Sequence, residues 1–113
     1  MCRAKSILIT ALLLSFALAN TALAGTPAQN LAKGDPEHGR KLLAEQNCNG
    51  SCHQSYADDN DPLSLYRRTN RKITSASQLL AQVERCVLRL GHASFPEDMV
   101  DMASALNADF YHF

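Results

Sequence analysis

The chemistry of this chain is concentrated in the segment Cys48-Asn49-Gly50-Ser51-Cys52-His53. Two thiols and an imidazole in so short a run can form a disulfide, hold a zinc ion, or attach a cofactor and ligate its metal. A further thiol, Cys86, and a further imidazole, His92, follow later in the chain. These side chains are the first candidates for a functional site.

The segment Cys48–His53 is a variant of a known haem-attachment sequence. In Cys-x-x-Cys-His, two thiols add to the vinyl groups of haem and the histidine becomes the proximal iron ligand. Here three residues separate Cys48 from Cys52 instead of two. We expect Asn49-Gly50 to absorb the extra residue, because both residue types tolerate positive backbone angles. The segment therefore predicts one covalent haem c on Cys48 and Cys52, with His53 on the iron.

The same residues allow three other interpretations. A structural zinc site would add Cys86 or His92 to the two motif cysteines, although zinc sites normally bring two complete ligand pairs. A Cys48–Cys52 disulfide would give the adjacent histidine no role. The Asn-Gly-Ser run also matches a glycosylation sequon, which the flanking cysteines disfavour. A haem-free exported zinc or disulfide module is thus the alternative to haem attachment.

The first 24 residues have the composition of an export signal. Arg3 and Lys5 precede an apolar run over residues 7–19, and Ala22-Leu23-Ala24 offers the small residues that a signal peptidase requires. Cleavage after Ala24 would leave 89 of the 113 residues, with 9 basic and 11 acidic side chains and a formal charge of −2. We therefore expect a periplasmic protein; an uncleaved membrane anchor is the alternative.

The remaining chain is poor in material for a core. It retains three cysteines and six aromatic residues, and the sequence contains no tryptophan. A domain this small usually needs disulfides, a metal or a cofactor to supplement its core. An odd number of cysteines in an oxidising compartment cannot all pair internally. Something other than an internal disulfide must therefore use at least one sulfur.

The chain divides into three parts. Residues 1–24 form the predicted signal, residues 25–33 are expected to be a flexible lead-in without an apolar period, and residues 34–113 form one domain. The length of the whole sequence, 113 residues, excludes a multidomain enzyme. No nucleophile and base pair lies beside the motif, so we do not expect an enzyme.

Capping residues and apolar spacing predict three helices in this domain, and no segment alternates as a strand would. The first begins at Asp35-Pro36 and runs to about residue 47. The second is capped by Ser75 or Ser77 and ends at Gly91. The third begins at Pro96 and carries its apolar face toward the C-terminus.

These features together resemble the class I c-type cytochromes. The resemblance rests on the Gly-Asp-Pro helix start at Gly34, the cysteine motif, and the last helix with its Phe110-Tyr111-His112-Phe113 tail. It implies an all-α, cytochrome c-like orthogonal bundle of three to four helices around a covalent haem, with Gly39 where the first and last helices cross. It also implies electron transport between redox partner proteins in the periplasm, with membrane contact only transiently through a membrane redox complex.

The resemblance leaves the distal iron ligand open. Met99 and Met102 are of the family's ligand type but lie within the last helix, and Met99 is nearer its start. Cys86 lies on the apolar face of the helix that flanks the distal side in the family, and His92 lies in the loop that normally presents the ligand. An open or weakly held sixth position would instead give a haem protein that binds small ligands.

A basic patch follows an acidic loop between the motif and the second helix. The patch comprises Arg67, Arg68, Arg71 and Lys72, and the loop contains Asp58, Asp59 and Asp61. We expect local charge pairs here, with one arginine holding a haem propionate and others steering a redox partner. The net charge of −2 disfavours nucleic acid as a partner.

Overall fold

The computed structural model describes residues 25–91 and 94–113, without the side chains of residues 51 and 52. The predicted signal with its cleavage site after Ala24, the side chain of Cys52, and His92 therefore lie outside the described residues. Within them the chain is mostly helical and has no strand, which confirms the all-α prediction. None of the helices described there has the length and apolar character required to cross a membrane.

Helices and short helical turns account for most of the described chain. The α-helices are α1 Pro27–Lys33, α2 Pro36–Glu45, α3 Ala76–Leu90 and α4 Pro96–Leu106. The wider π turns are Cys48–Cys52 after α2 and Asn107–Tyr111 after α4, and the tighter 3-10 turns are Asp58–Asn60 and Pro62–Tyr66. The three predicted helices are confirmed as α2, α3 and α4, with α2 ending two residues earlier than expected.

Helix α1 occupies the segment that was predicted to be a flexible lead-in, and that prediction was wrong. Thr26 and Gln29 form a reciprocal cap, with bonds of 2.8 and 3.2 Å between each side chain and the other's backbone N–H. Leu31 is only 3% exposed, and its carbonyl accepts a hydrogen bond from the Ser104 hydroxyl of α4. A single buried leucine produces no apolar period, so the helix is fixed by packing on α3 and α4.

Helices α2 and α4 form the closest contact in the described fold. A β-carbon built on Gly39 of α2 would overlap the backbone carbonyl of Asp101 in α4. The facing turn of α4 is fully buried and includes Ala103 and Ala105, whose small side chains allow helices to approach closely. The expected contact of the first and last helices at Gly39 is therefore present.

Asp101 links the start of α2 to α4. Its carboxylate accepts the backbone N–H of Asp35 at 2.7 Å and lies 2.8 Å from Nδ1 of His38. Asp35 in turn caps α2 by accepting the N–H groups of the following turn. These bonds hold the beginning of α2 against the middle of α4.

Helix α3 follows its predicted boundaries. The Ser75 hydroxyl accepts from the backbone N–H of Gln78 at 3.3 Å, and Gly91 ends the helix with φ +68°. The buried face consists of Ala76, Leu79, Val83 and Val87. This spacing of three and four residues directs one side of α3 toward α1 and α4.

The contact at Gly39 predicts that Gly39→Ala destabilises the fold. Overpacking costs roughly 1–3 kcal/mol, which exceeds the helix propensity gained, about 1 kcal/mol, because the obstructing atoms are backbone. Denaturant unfolding would measure the difference. Ala44→Gly, at an exposed position of the same helix, reports propensity alone. A Gly39→Ala protein as stable as the wild type would contradict the close approach.

The contact between His38 and Asp101 predicts a pH-dependent contribution to stability. The hydrogen bond raises the pKa of His38 above 6.5, so its contribution is present below that pH and lost as pH rises through the raised value. The same bond lowers the pKa of Asp101 below 3.8, so that contribution is lost as pH falls through the lowered value. The pair should therefore stabilise the fold most between about pH 4 and 6.5.

Asp101→Asn tests this dependence, because the amide oxygen can still accept from Asp35. We expect the NMR titration of His38 to move down toward 6.5 and the loss of stability to be larger at pH 5.5 than at pH 9. Asp109→Asn is the matched control, since its partner Arg40 stays charged throughout this range. Equal losses at both pH values would refute the proposed coupling.

Candidate cofactor site

A cavity of about 560 Å³ lies between the Cys48–Cys52 turn, the Pro62–Tyr66 turn, α3 and α4. Its apolar wall is formed mainly by Leu43, Leu79, Val83, Val87, Met102 and Leu106. A second cavity, of about 310 Å³, adjoins it and shares Cys48, His53 and Cys86 among its lining residues. These volumes are those of small-molecule and cofactor sites, which range from roughly 300 to 1,000 Å³.

The motif turn begins with an unusual backbone conformation. Asn47, the residue before Cys48, has φ +52°, which redirects the chain as α2 ends. The predicted positive angles at Asn49 and Gly50 were wrong: Gly50 has φ −94° and ψ −135°. A β-carbon at Gly50 would meet the side-chain amide of Asn47, which would have to move to make room. The three residues between the cysteines thus lie in a wide π turn, and the left-handed residue Asn47 precedes that turn.

The turn brings Cys48 and His53 to the same cavity. Cys48 is 8% exposed and packs in the apolar core, whereas His53 is partly buried. Burial lowers the pKa of His53 below 6.5, which favours the neutral imidazole that metal ligation requires. The structure thus places an imidazole and a thiol on the wall of one largely apolar cavity.

A buried tyrosine connects the histidine to the motif turn. The Tyr66 hydroxyl lies 2.6 Å from Oδ1 of Asn49, to which it donates, and 2.9 Å from Nδ1 of His53. Tyr66 is 6% exposed, and burial raises its pKa well above the ordinary value of 10. The phenol therefore stays protonated. Neither Tyr66 nor Asn49 is recognisable as a site residue from the sequence, because their contact joins positions 17 apart without a local pattern.

The aromatic tail holds Tyr66 from the other side. Its ring stacks on Phe110 with centroids 4.7 Å apart and meets Tyr111 edge to face at 6.2 Å. Arg71 donates to the Phe110 carbonyl at 3.0 Å and lies over the Tyr111 ring, 5.0 Å from its centroid. The segment after α4 thus fixes the tyrosine that contacts His53.

Helix α3 contributes a thiol to the same space. Cys86 is partly buried, lines both cavities, and is outside any disulfide. Its sulfur accepts a hydrogen bond from the Gln82 amide at 3.2 Å. Gln82 lies one turn earlier on α3 and was not identified from the sequence. The structure therefore brings the distal candidate Cys86 to both cavities that His53 lines.

The two methionine candidates occupy different environments. Met102 is fully buried and lines the larger cavity, as part of its α4 wall. Met99 is partly buried and packs at the edge of the core, away from the cavity wall. We expected Met99 to be better able than Met102 to approach the iron. The packing instead puts Met102 on the cavity wall. The loop residue His92 lies outside the described part of the chain.

The described side chains include one compact group of potential metal ligands, and it lies outside the cavity. Among the side chains described, the group of three or more potential ligands within 4.8 Å of one another is His38, Asp98 and Asp101 on the α2–α4 surface. Cys48, His53 and Cys86 do not converge in this way. The side chain of Cys52 and residue His92, which the zinc interpretation also uses, lie outside the described residues.

Two arginines of the basic patch make contacts within the protein. Arg67 pairs with Asp61 at 2.6 Å, which confirms a local charge pair between the patch and the acidic loop. Arg71 is occupied by the aromatic tail. Of the four patch residues, the exposed Lys72 is the one that lines the larger cavity. A carboxylate at that edge would therefore meet a lysine.

Comparisons of this chain with family models, with curated proteins and with solved structures found no match.

Proposed function

We propose that this protein is an exported, class I-like monohaem c-type cytochrome that carries electrons between redox partner proteins in the periplasm. The observation that supports this most directly is that the Cys48–His53 segment opens onto an apolar cavity of about 560 Å³. The predominance of helices agrees with a cytochrome c-like bundle of three to four helices around the cofactor. The proposed haem also supplies the large apolar mass that the chain itself lacks.

Each side chain of the proposed site has a distinct task. Cys48 and Cys52 would anchor the group by adding their S–H across its vinyl double bonds, which would form two C–S bonds without a net change of oxidation state. His53 provides the proximal nitrogen. Haem supplies an iron that gains or loses one electron. The apolar wall from α3 and α4 keeps water from the iron, and Lys72 lies where a propionate would meet positive charge.

Cys86 is our proposed distal ligand. It lines both cavities with His53, whereas Met102 lines only the larger cavity and Met99 lines neither. The Gln82 amide at 3.2 Å would stabilise a thiolate by donating to the sulfur. Thiolate ligation gives a lower reduction potential than methionine ligation. His92, or an open position that binds small ligands, is the competing arrangement.

Covalent attachment is the first expected outcome. Expression of the full chain with a cytochrome c maturation system should yield a protein whose intact mass exceeds the processed chain by one haem. Cys48→Ala should lose one thioether bond and alter the pyridine haemochrome spectrum, because one vinyl group stays unsaturated. Cys86→Ala is the control that keeps both attachment cysteines. An intact mass lacking haem would overturn the cytochrome proposal in favour of a haem-free zinc or disulfide module.

The distal ligand is tested by spectra of single variants. Cys86→Ala should lose the low-spin spectrum of the oxidised holoprotein, since its iron loses the sixth ligand, while Met99→Leu should leave the spectrum unchanged. Met102→Leu should chiefly affect stability, because volume-conserving core changes usually cost less than about 1.5 kcal/mol. A low-spin spectrum that survives Cys86→Ala but not His92→Ala would identify the loop histidine instead. A wild-type spectrum altered by carbon monoxide would favour the small-ligand binder.

A further inference from the structure

Three groups form a continuous hydrogen-bonded chain beside the motif. The Tyr66 hydroxyl lies between the Asn49 amide at 2.6 Å and the His53 ring at 2.9 Å. All three belong to the wall of the proposed haem site or to the turn that builds it. Neither the attachment of haem nor the choice of distal ligand requires the tyrosine. Its place against His53 therefore calls for a separate explanation.

The number of protons available to these three groups fixes the direction of the two hydrogen bonds between them. A phenol has one proton, and in the 2.6 Å contact that proton goes to Oδ1 of Asn49, which can only accept. The phenol oxygen must then accept the proton of His53 Nδ1 across 2.9 Å. This arrangement places the imidazole proton on Nδ1 and leaves the lone pair of Nε2 available for a metal.

We infer that Tyr66, held by Asn49, is a positioning residue that fixes the tautomer and ring orientation of His53 and sets its donor strength toward the iron. The inference rests on the proposed function. A metal-bound histidine commonly donates its second N–H to an acceptor, which fixes the ring and increases the basicity of the ligating nitrogen. Here the acceptor is a neutral phenol. Asn49, the residue directly after Cys48, orients that phenol by accepting its proton.

The surroundings of Tyr66 make this contact rigid. The ring is 6% exposed and stacks on Phe110 at 4.7 Å, so its hydroxyl cannot swing away without disturbing the tail after α4. Tyr66 also meets the His53 ring edge to face at 5.8 Å. A buried hydrogen bond with fixed geometry acts in a low dielectric, where it influences its acceptor and donor more strongly than in water.

The sign of the electronic effect follows from the direction of the bond. Accepting the Nδ1 proton makes Nε2 a stronger donor, which stabilises ferric relative to ferrous iron and lowers the reduction potential. Removing the phenol oxygen should therefore shift the one-electron equilibrium toward ferrous iron. We expect a change of up to roughly tenfold, which corresponds to 59 mV for a one-electron couple.

The experiment compares Tyr66→Phe with wild type as full-length, matured holoproteins. Intact mass first verifies one covalent haem in each. Redox titration should then give a higher potential for Tyr66→Phe, and NMR of the reduced protein should show faster solvent exchange of the His53 Nδ1 proton. Ser77→Ala, which removes an exposed hydroxyl on α3 outside both cavities, is the control and should alter neither quantity.

Asn49→Ala provides a second route if Tyr66→Phe yields no folded holoprotein. It keeps the Tyr66 ring but removes the acceptor that orients the phenol, so we expect a smaller shift in the same direction. Unchanged potential and exchange in haem-bearing Tyr66→Phe, or in Asn49→Ala when it is the variant obtained, would overturn the inference while the proposed function stands. A wild type without covalent haem would overturn both.

Discussion

The close approach of α2 and α4 at Gly39 is the constraint on which the rest of this structure depends. Because no β-carbon separates the two backbones, the helices meet at a fixed point, and Asp101 fastens the start of α2 beside it. The motif turn follows directly from the end of α2, and the aromatic tail follows directly from the end of α4. One backbone contact thus determines where both halves of the candidate site begin.

The two halves meet at Tyr66. On one side its hydroxyl reaches Asn49 and His53, and on the other its ring packs on Phe110 and Tyr111. A change in the α2–α4 packing would move the tail relative to the motif turn, and the tyrosine would lose one set of contacts. The proposed electronic role of Tyr66 therefore depends on a helix contact far from the histidine in sequence.

Local sequence patterns predicted the helices well where they had caps and a 3.6-residue period. Asp35, Ser75 and Gly91 begin or end helices as expected, because capping bonds involve residues only a few positions apart. Helix α1 was missed because its stability comes from Leu31 and Ser104, whose contact joins residues 73 positions apart. A positive backbone angle was expected at Asn49-Gly50, but it lies at Asn47, where the chain leaves α2.

The sequence by itself determined the chemistry available to this protein: two cysteines and a histidine at an attachment-like spacing, a third thiol on a helix face, and a chain with too few large side chains for its core. The tertiary structure decided which donors share a cavity. Met99 and Met102 are three residues apart on one helix, and the way that helix packs puts Met102, and not Met99, on the cavity wall. Packing likewise brought Tyr66 to His53, because a contact between two loops depends on the helices that carry them.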